Sequence, residues 1–237
     1  MQLRAIETRQ GPVWLKSAFD THDPTHPLVL AIGGAFPGEH DLEWLRVEGA
    51  DLVLANLPGF HSPFLQTSTV DAFITAFSEA TQTAFADREV IGLGISTGAL
   101  VVTGLRVPQL KAAVLVEPFF STAKLWPLIE LTRLYFPQLD ERHRQWCWTV
   151  LGISANDVAD RRYGHLVQPG PPTRVICGDI PLFPRRPVRG LPSLTDDDDR
   201  GLLRRAGAQL TSVPGGHNVP QDAPEILVQT IQGLLAT

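Results

Sequence analysis

Hydrophobic residues lie along this chain in short continuous runs that alternate with stretches of helical character. The continuous runs occupy residues 28–32, 51–55, 90–95, 112–116, 173–177 and 209–213. Between and after them, helices are predicted over 70–85, 97–105, 196–205 and 224–235. Continuous apolar runs are typical of strands buried on both faces of a parallel sheet, with the helices as right-handed crossovers. The order predicts an α/β fold with a mostly parallel, doubly wound sheet and helices on both faces.

Two stretches depart from this rhythm. Residues 2–18 alternate loosely around apolar positions and predict a hairpin at the sheet edge, turning near residues 10–12. Residues 118–170 carry three of the five tryptophans, and their apolar positions fall at helical spacing. We interpret 118–170 as a helical cap inserted between strands. The alternative is an excursion whose aromatic side chains only pack on the sheet.

Composition narrows the class of protein. The 237 residues are 43% hydrophobic and 19% charged, which is typical of a globular chain with a sizeable core, and we expect one domain over 1–237. A net charge of −5 without a basic stripe argues against a nucleic-acid partner. The sequence contains no apolar stretch long enough for a membrane span. Cys147 and Cys177 have neither disulfide nor metal spacing, so we expect a soluble cytoplasmic protein.

An unusual acidic run, Asp196 to Asp199, stands where the third of the predicted helices begins. Negative side chains are favourable at a helix N-terminus, so we interpret the run as the start of that helix.

His22 and His26 are four residues apart, a metal-binding spacing on a helix, but Pro24 lies between them, so a helix there is not expected. No cluster of residues requires a metal or an organic cofactor, and the expected cofactor is none.

The pentapeptide Gly94-Ile95-Ser96-Thr97-Gly98 joins a predicted strand to a predicted helix. It fits the G-x-S-x-G pattern of a nucleophile elbow, in which a serine occupies a sharp turn between the two elements. A strained turn requires small residues on either side of the serine, and it aims helical N–H groups at incoming negative charge. The pattern indicates Ser96 as a nucleophile, and an ordinary glycine-rich turn is the alternative.

Taken together, the segments resemble the α/β-hydrolase family over nearly the whole chain. Phe36-Pro37-Gly38 resembles its oxyanion loop, 56–62 is similar to its Asp-x-Pro-Gly-x-Gly-x-Ser signature, and 216–225 resembles the segment with its catalytic histidine. The resemblance implies His217 as general base and the N–H groups of Phe36 and Thr97 as the oxyanion hole, with Ala35 in place of Phe36 if the register of the loop is shifted. Three departures stand out: Gly34-Ala35 in place of a His-Gly pair, Asn56 and His61 in the signature, and Pro181 where the family places its acid.

The carboxylate that would orient His217 has two candidates at strand ends. Asp179 follows Gly178 and is preferred if the loop before the acid has been shortened. Glu117 ends the preceding strand, from which some family members also supply the acid. The remaining possibilities are that an aspartate of the 196–199 run supplies the acid, or that the site has no acid.

The resemblance implies hydrolysis of an ester or thioester through an acyl-enzyme on Ser96. The aromatic residues of the predicted cap favour an apolar acyl or aromatic small molecule as substrate. Three arginines follow the preferred acid, at positions Arg185, Arg186 and Arg189. The favoured interpretation is that they lie on a solvated loop, and the alternative is that they bind an anionic carrier or phosphate. The same residues would serve C–C bond hydrolysis, a lyase reaction or acyl transfer. A non-catalytic member that binds a ligand or partner is the alternative from another class. A homodimer is compatible with the sequence, which leaves the oligomeric state open.

Overall fold

The protein is built on one eight-stranded sheet. A computed structural model describes residues 1–35, 42–187 and 190–236. The order across the sheet is β1-β2-β4-β3-β5-β6-β7-β8; β1 and β2 are antiparallel to their neighbours, and β4 to β8 run parallel with β3. The strands are β1 (Gln2–Ile6), β2 (Val13–Ser17), β3 (Leu28–Ile32), β4 (Asp51–Ala55), β5 (Val90–Ile95), β6 (Leu110–Val116), β7 (Thr173–Gly178) and β8 (Gln209–Val213).

The α-helices lie between and after these strands. They are α1 (Val70–Ala84), α2 (Thr97–Gly104), α3 (Trp126–Tyr135), α4 (Glu141–Trp146), α5 (Asp197–Arg205), α6 (Val219–Asp222) and α7 (Pro224–Leu235). Short 3₁₀ turns occupy Phe19–Thr21, Phe136–Gln138 and Gly164–Leu166, and a π-helical turn covers Cys147–Leu151. In the described part of the chain, no helix combines the length and apolar character needed to cross a bilayer.

The central strands are buried on both faces, as their continuous apolar runs predict. Along β3, Leu28 and Leu30 belong to one hydrophobic cluster, and Val29 and Ala31 belong to the other, because successive side chains of a strand point to opposite faces. Side chains of α1, α2 and α5 complete the first cluster, and those of α7 complete the second. The α/β-hydrolase fold, with helices on both faces of a mostly parallel sheet, is therefore confirmed.

The hairpin predicted at the sheet edge is also present. β1 pairs antiparallel with β2 in the register Gln2↔Ser17 to Ile6↔Val13, and β1 is the outer strand. Gly11 in the connection has a φ of 121°, a backbone conformation that only glycine adopts without strain. The hairpin adds an antiparallel border to the parallel sheet.

The segment between β6 and β7 is helical and packs on the carboxyl edge of the sheet. Trp146 Nε1–H donates to Pro58 O at 3.1 Å, beyond the end of β4, and Trp126 Nε1–H donates to Leu182 O at 3.0 Å, beyond the end of β7. Trp146 is fully buried between the rings of Phe60 and Phe73. The segment thus contacts the edge where parallel strands end, and Trp146 packs against α1 and the loop after β4.

The aspartate run begins α5 as predicted, but one member has a second role. Asp196 caps the helix by accepting from Asp199 N–H at 3.0 Å. Asp199 is only 3% exposed; it binds Lys124 Nζ at 2.8 Å and accepts from Phe120 N–H at 3.2 Å. Burial raises the pKa of Asp199 to about 6, although Lys124 opposes the shift. The run is therefore an anchor for the base of the 118–170 segment and not only a solvated helix start.

Candidate active site

Ser96 occupies a strained turn between β5 and α2. Its backbone has φ 54° and ψ −120°, its N–H donates to Val116 O at 2.8 Å, and the residue is 6% exposed. Positive φ is uncommon for a residue with a side chain, and such strain concentrates at functional sites. A Cβ on Gly94 would lie 2.6 Å from Ala99 Cα, and one on Gly98 would collide with Ile32 O. The two glycines of the pentapeptide are therefore required by packing around the turn.

Glu117 ends β6 beside this turn and is completely buried. Its backbone φ is also positive, at 51°, and its N–H donates to Ile176 O at 3.0 Å. Its carboxylate accepts three hydrogen bonds, namely from Gly178 N–H at 2.6 Å, from Ser193 Oγ at 3.0 Å and from Leu194 N–H at 2.6 Å. A buried carboxylate is costly unless it is paired or hydrogen-bonded, and these donors meet that requirement.

His217 lies on the loop that follows β8, beside Glu117. Its Nδ1 is 3.5 Å from Glu117 Oε2, and the residue is 4% exposed. The distance is slightly longer than a normal hydrogen bond, and the contact is an ion pair only when the imidazole is protonated. The His217 N–H donates to Leu191 O at 3.0 Å, which fixes the backbone of the loop. The geometry pairs the imidazole with a carboxylate at one nitrogen, an arrangement that orients a general base.

Asp179, the acid preferred from the sequence, contacts the loop just before His217. Its side chain is exposed, and its Oδ1 accepts from Gly215 N–H at 3.0 Å. Asp179 therefore ties the end of β7 to the loop before His217. The other candidate, Glu117, lies 3.5 Å from His217 Nδ1, and donors of the 193–194 segment hold its carboxylate there.

Of the two residues predicted to form the oxyanion hole, Thr97 is among the described residues. Thr97 is the first residue of α2 and is buried, directly after Ser96. Phe36 lies outside the described residues. The loop that leads to it starts close to α2, because a Cβ on Gly98 would also collide with Gly33 O. The loop after β3 and the N-terminus of α2 thus approach each other beside Ser96.

A contact between Ser17 and His22 lies away from this edge. Ser17 Oγ is 2.7 Å from His22 Nε2 and also donates to Leu52 O, and His22 Nδ1 is 4.0 Å from Asp51 Oδ2. Burial lowers the pKa of His22. Because the Ser17 hydroxyl donates its proton to a carbonyl oxygen, it accepts a hydrogen bond from His22 and is not activated by that histidine.

In residues 1–35, 42–187 and 190–236, no group of three His, Cys, Asp or Glu side chains is arranged to hold a metal ion.

Comparison with known families decides the class of protein. A sequence model of the family described as "Alpha/beta hydrolase family" matches residues 26–230, which is most of the chain. The chain belongs to the alpha/beta hydrolase family. The match extends from just before β3 into α7, so it includes both Ser96 and His217.

Solved structures similar to this alpha/beta hydrolase share its fold at low identity. An esterase from Thermogutta terrifontis is 16% identical with a TM-score of 0.62, and the match covers 100% of this chain and 98% of that chain. An esterase from Exiguobacterium antarcticum is 14% identical with a TM-score of 0.67, with coverage of 98% and 99%. A proline iminopeptidase-related protein from Thermus thermophilus is 19% identical with a TM-score of 0.61, with coverage of 100% and 98%. A search of curated proteins found no significant match.

The alpha/beta hydrolase contains supporting residues that the sequence did not indicate. Leu191, Ser193 and Leu194 hold His217 and Glu117 through the hydrogen bonds given above, although they lie in or beside the loop interpreted as solvated. A Cβ on Gly178 would collide with Gly216 O, so this glycine lets the histidine loop approach β7. No sequence motif marks the 191–194 segment, since its contribution depends on backbone groups and one buried hydroxyl.

Proposed function

We propose that the protein is a serine hydrolase that cleaves an ester or thioester through an acyl-enzyme on Ser96. His217 acts as the general base and acid, and Glu117 orients it. The observation that carries the proposal is the buried His217–Glu117 contact of 3.5 Å next to the strained turn of Ser96. Family membership and the similarity to proteins described as esterases support hydrolysis as the reaction.

The proposed reaction begins with attack of Ser96 Oγ on the carbonyl carbon of the substrate. The hydroxyl proton passes to His217, whose positive charge is stabilised by the Glu117 carboxylate. The imidazolium then protonates the leaving alcohol or thiol as the carbon–oxygen or carbon–sulfur bond breaks. Water, deprotonated by His217, attacks the acyl-enzyme and releases the carboxylic acid and free Ser96.

The developing oxyanion requires N–H donors close to Ser96. The Thr97 N–H is the proposed donor at the start of α2, where backbone N–H groups of the first turn have no partner within the helix. The second proposed donor is the Phe36 N–H, as the family resemblance implies. The glycine-dependent approach of the β3 loop to α2 supports a donor from that loop.

The test is hydrolysis of p-nitrophenyl acetate and butyrate by the wild type, Ser96→Ala and His217→Ala. We expect kcat to fall by at least about 10⁴-fold in each variant, because the nucleophile and its base act as a unit. Ser17→Ala is the matched control, since the Ser17 hydroxyl lies 2.7 Å from His22 Nε2. Activity that persists in Ser96→Ala, or falls equally in Ser17→Ala, would contradict the proposal.

A further inference from the structure

A groove opens between α3 and the loop after β7, at the carboxyl edge of the sheet. Its volume is about 720 Å³. Its apolar walls are Trp126, Leu131 and Leu134 from α3, and Leu191 and Pro192 from the loop. Leu134 is 68% exposed and stands beside the opening. A concave site with mostly apolar walls is typical of a small-molecule binding site.

Two guanidinium groups stand at the same groove. Arg185 and Arg186 both line it, and Arg185 lies over the Trp126 ring at 5.5 Å from the centroid. The hydrogen bond from Trp126 Nε1–H to Leu182 O holds that ring in place. Glu130 also lines the groove, so two positive side chains accompany one negative side chain. Within the described residues, neither arginine forms an ion pair with a carboxylate. The groove therefore combines apolar walls with positive charge that a ligand anion can neutralise.

The wall of the groove is also the support of the proposed catalytic residues. Leu191 lines the groove while its carbonyl accepts from His217 N–H at 3.0 Å. Two and three residues later, Ser193 and Leu194 donate to Glu117. The 191–194 segment thus contributes to the groove through Leu191 and to the His217–Glu117 pair through its hydrogen bonds.

We propose that this groove binds an anionic amphiphile, with its apolar chain on Trp126, Leu131 and Leu134 and its carboxylate or phosphate at Arg185 and Arg186. From this and the proposed function, we infer that the substrate is an ester or thioester that carries such an anionic group. The inference about the groove is independent of Ser96, whereas the inference about the substrate rests on the proposed function.

The binding test compares octanoate, octyl phosphate and 1-octanol by isothermal titration calorimetry. We expect the wild type to bind an octyl anion more tightly than octanol, and the Arg185→Gln/Arg186→Gln double variant to lose about fivefold in affinity for the anion alone. High salt should reduce the difference. The tighter of octanoate and octyl phosphate identifies the preferred anion. Arg142→Gln is the matched control, because Arg142 also stacks on an aromatic ring, that of Phe64 at 4.3 Å. Equal affinity of the wild type and the double variant for both anions, or no anion binding, would overturn the proposal.

The substrate test compares mono-p-nitrophenyl adipate with its methyl ester, which has the same chain without the charge. The double variant should lose about fivefold in kcat/KM on the charged ester and remain unchanged on the neutral ester. Equal losses on both esters would overturn the charge-recognition inference while leaving the hydrolase proposal intact. If the wild type hydrolyses neither ester and Ser96 is unreactive, the proposed function and the substrate inference both fail, and calorimetry still decides whether the groove binds anions.

Discussion

Replacing Glu117 by glutamine tests which carboxylate supports His217. Glutamine preserves the size of the side chain but replaces one carboxylate oxygen with an NH₂ group. Glu117 accepts from backbone N–H groups on both oxygens, those of Gly178 and Leu194. The amide oxygen of glutamine can accept from only one of these two N–H groups. The other N–H then faces the glutamine NH₂ group, which is also a donor, and loses its hydrogen bond. One buried unsatisfied N–H costs about 1–3 kcal/mol, and we expect a folded but destabilised variant.

The effect on the reaction should be larger than the effect on stability. At 3.5 Å, a unit charge pair with an effective dielectric constant of about 20 interacts by about 5 kcal/mol. This is the stabilisation that the Glu117 carboxylate offers to a charged His217 imidazole, and its loss corresponds to roughly three orders of magnitude in kcat. In a His217→Ala background the same substitution should change kcat little, because the carboxylate acts through the imidazole.

Asp179→Asn is the control for this prediction. The asparagine keeps an oxygen that can accept from Gly215 N–H, so only the charge is removed. We expect kcat within about threefold of the wild type, since an exposed charge is screened by solvent. The assay is steady-state hydrolysis of p-nitrophenyl butyrate at a temperature where circular dichroism shows each variant to be folded. A loss of three orders of magnitude in Asp179→Asn, with Glu117→Gln near wild type, would refute the reasoning.

Three further predictions concern residues around this centre. Ser193→Ala removes one of three hydrogen-bond donors to Glu117, so kcat should fall about tenfold while KM stays unchanged. A tenfold rise in KM would argue against a positioning role for Ser193. Because burial raises the pKa of Asp199 from its unfolded value of 3.8 to about 6, its contribution to stability is present below about pH 4 and lost as pH rises through 6. In urea unfolding, the free energy of unfolding should fall by about 2 kcal/mol from pH 4 to 7, and this fall should be absent in Asp199→Asn. Gly98→Ala should destabilise the fold by more than about 3 kcal/mol in thermal melts, whereas Gly233→Ala, in open space on α7, should stabilise it slightly.

The sequence predicts the sheet almost to the residue. β3, β4 and β8 coincide with the runs 28–32, 51–55 and 209–213, because continuous apolar stretches bounded by polar or glycine-rich turns leave little freedom in where a buried strand begins and ends. The elbow at Ser96 is equally local, since its glycines are dictated by contacts within a few residues and with the neighbouring strand.

The choice of acid and the burial of Asp199 depend on contacts between distant segments. Glu117 meets His217 because residues 193–194, far along the chain, orient its carboxylate, and neither spacing nor composition encodes that contact. Asp199 resembles its three acidic neighbours in sequence, and only its phase on α5 relative to Lys124 buries it. The groove that α3 forms with residues 185–187 and 190–192 likewise depends on two segments that are far apart in the sequence.

The central claim, an activated Ser96 that depends on His217, is tested most directly by a fluorophosphonate probe. The purified wild type, Ser96→Ala and His217→Ala would be labelled, and any adduct mapped by mass spectrometry. The account predicts one adduct on Ser96, none in Ser96→Ala, and a rate of labelling in His217→Ala that falls by orders of magnitude. A folded wild type that remains unlabelled, or an adduct on another serine that persists in Ser96→Ala, would contradict it.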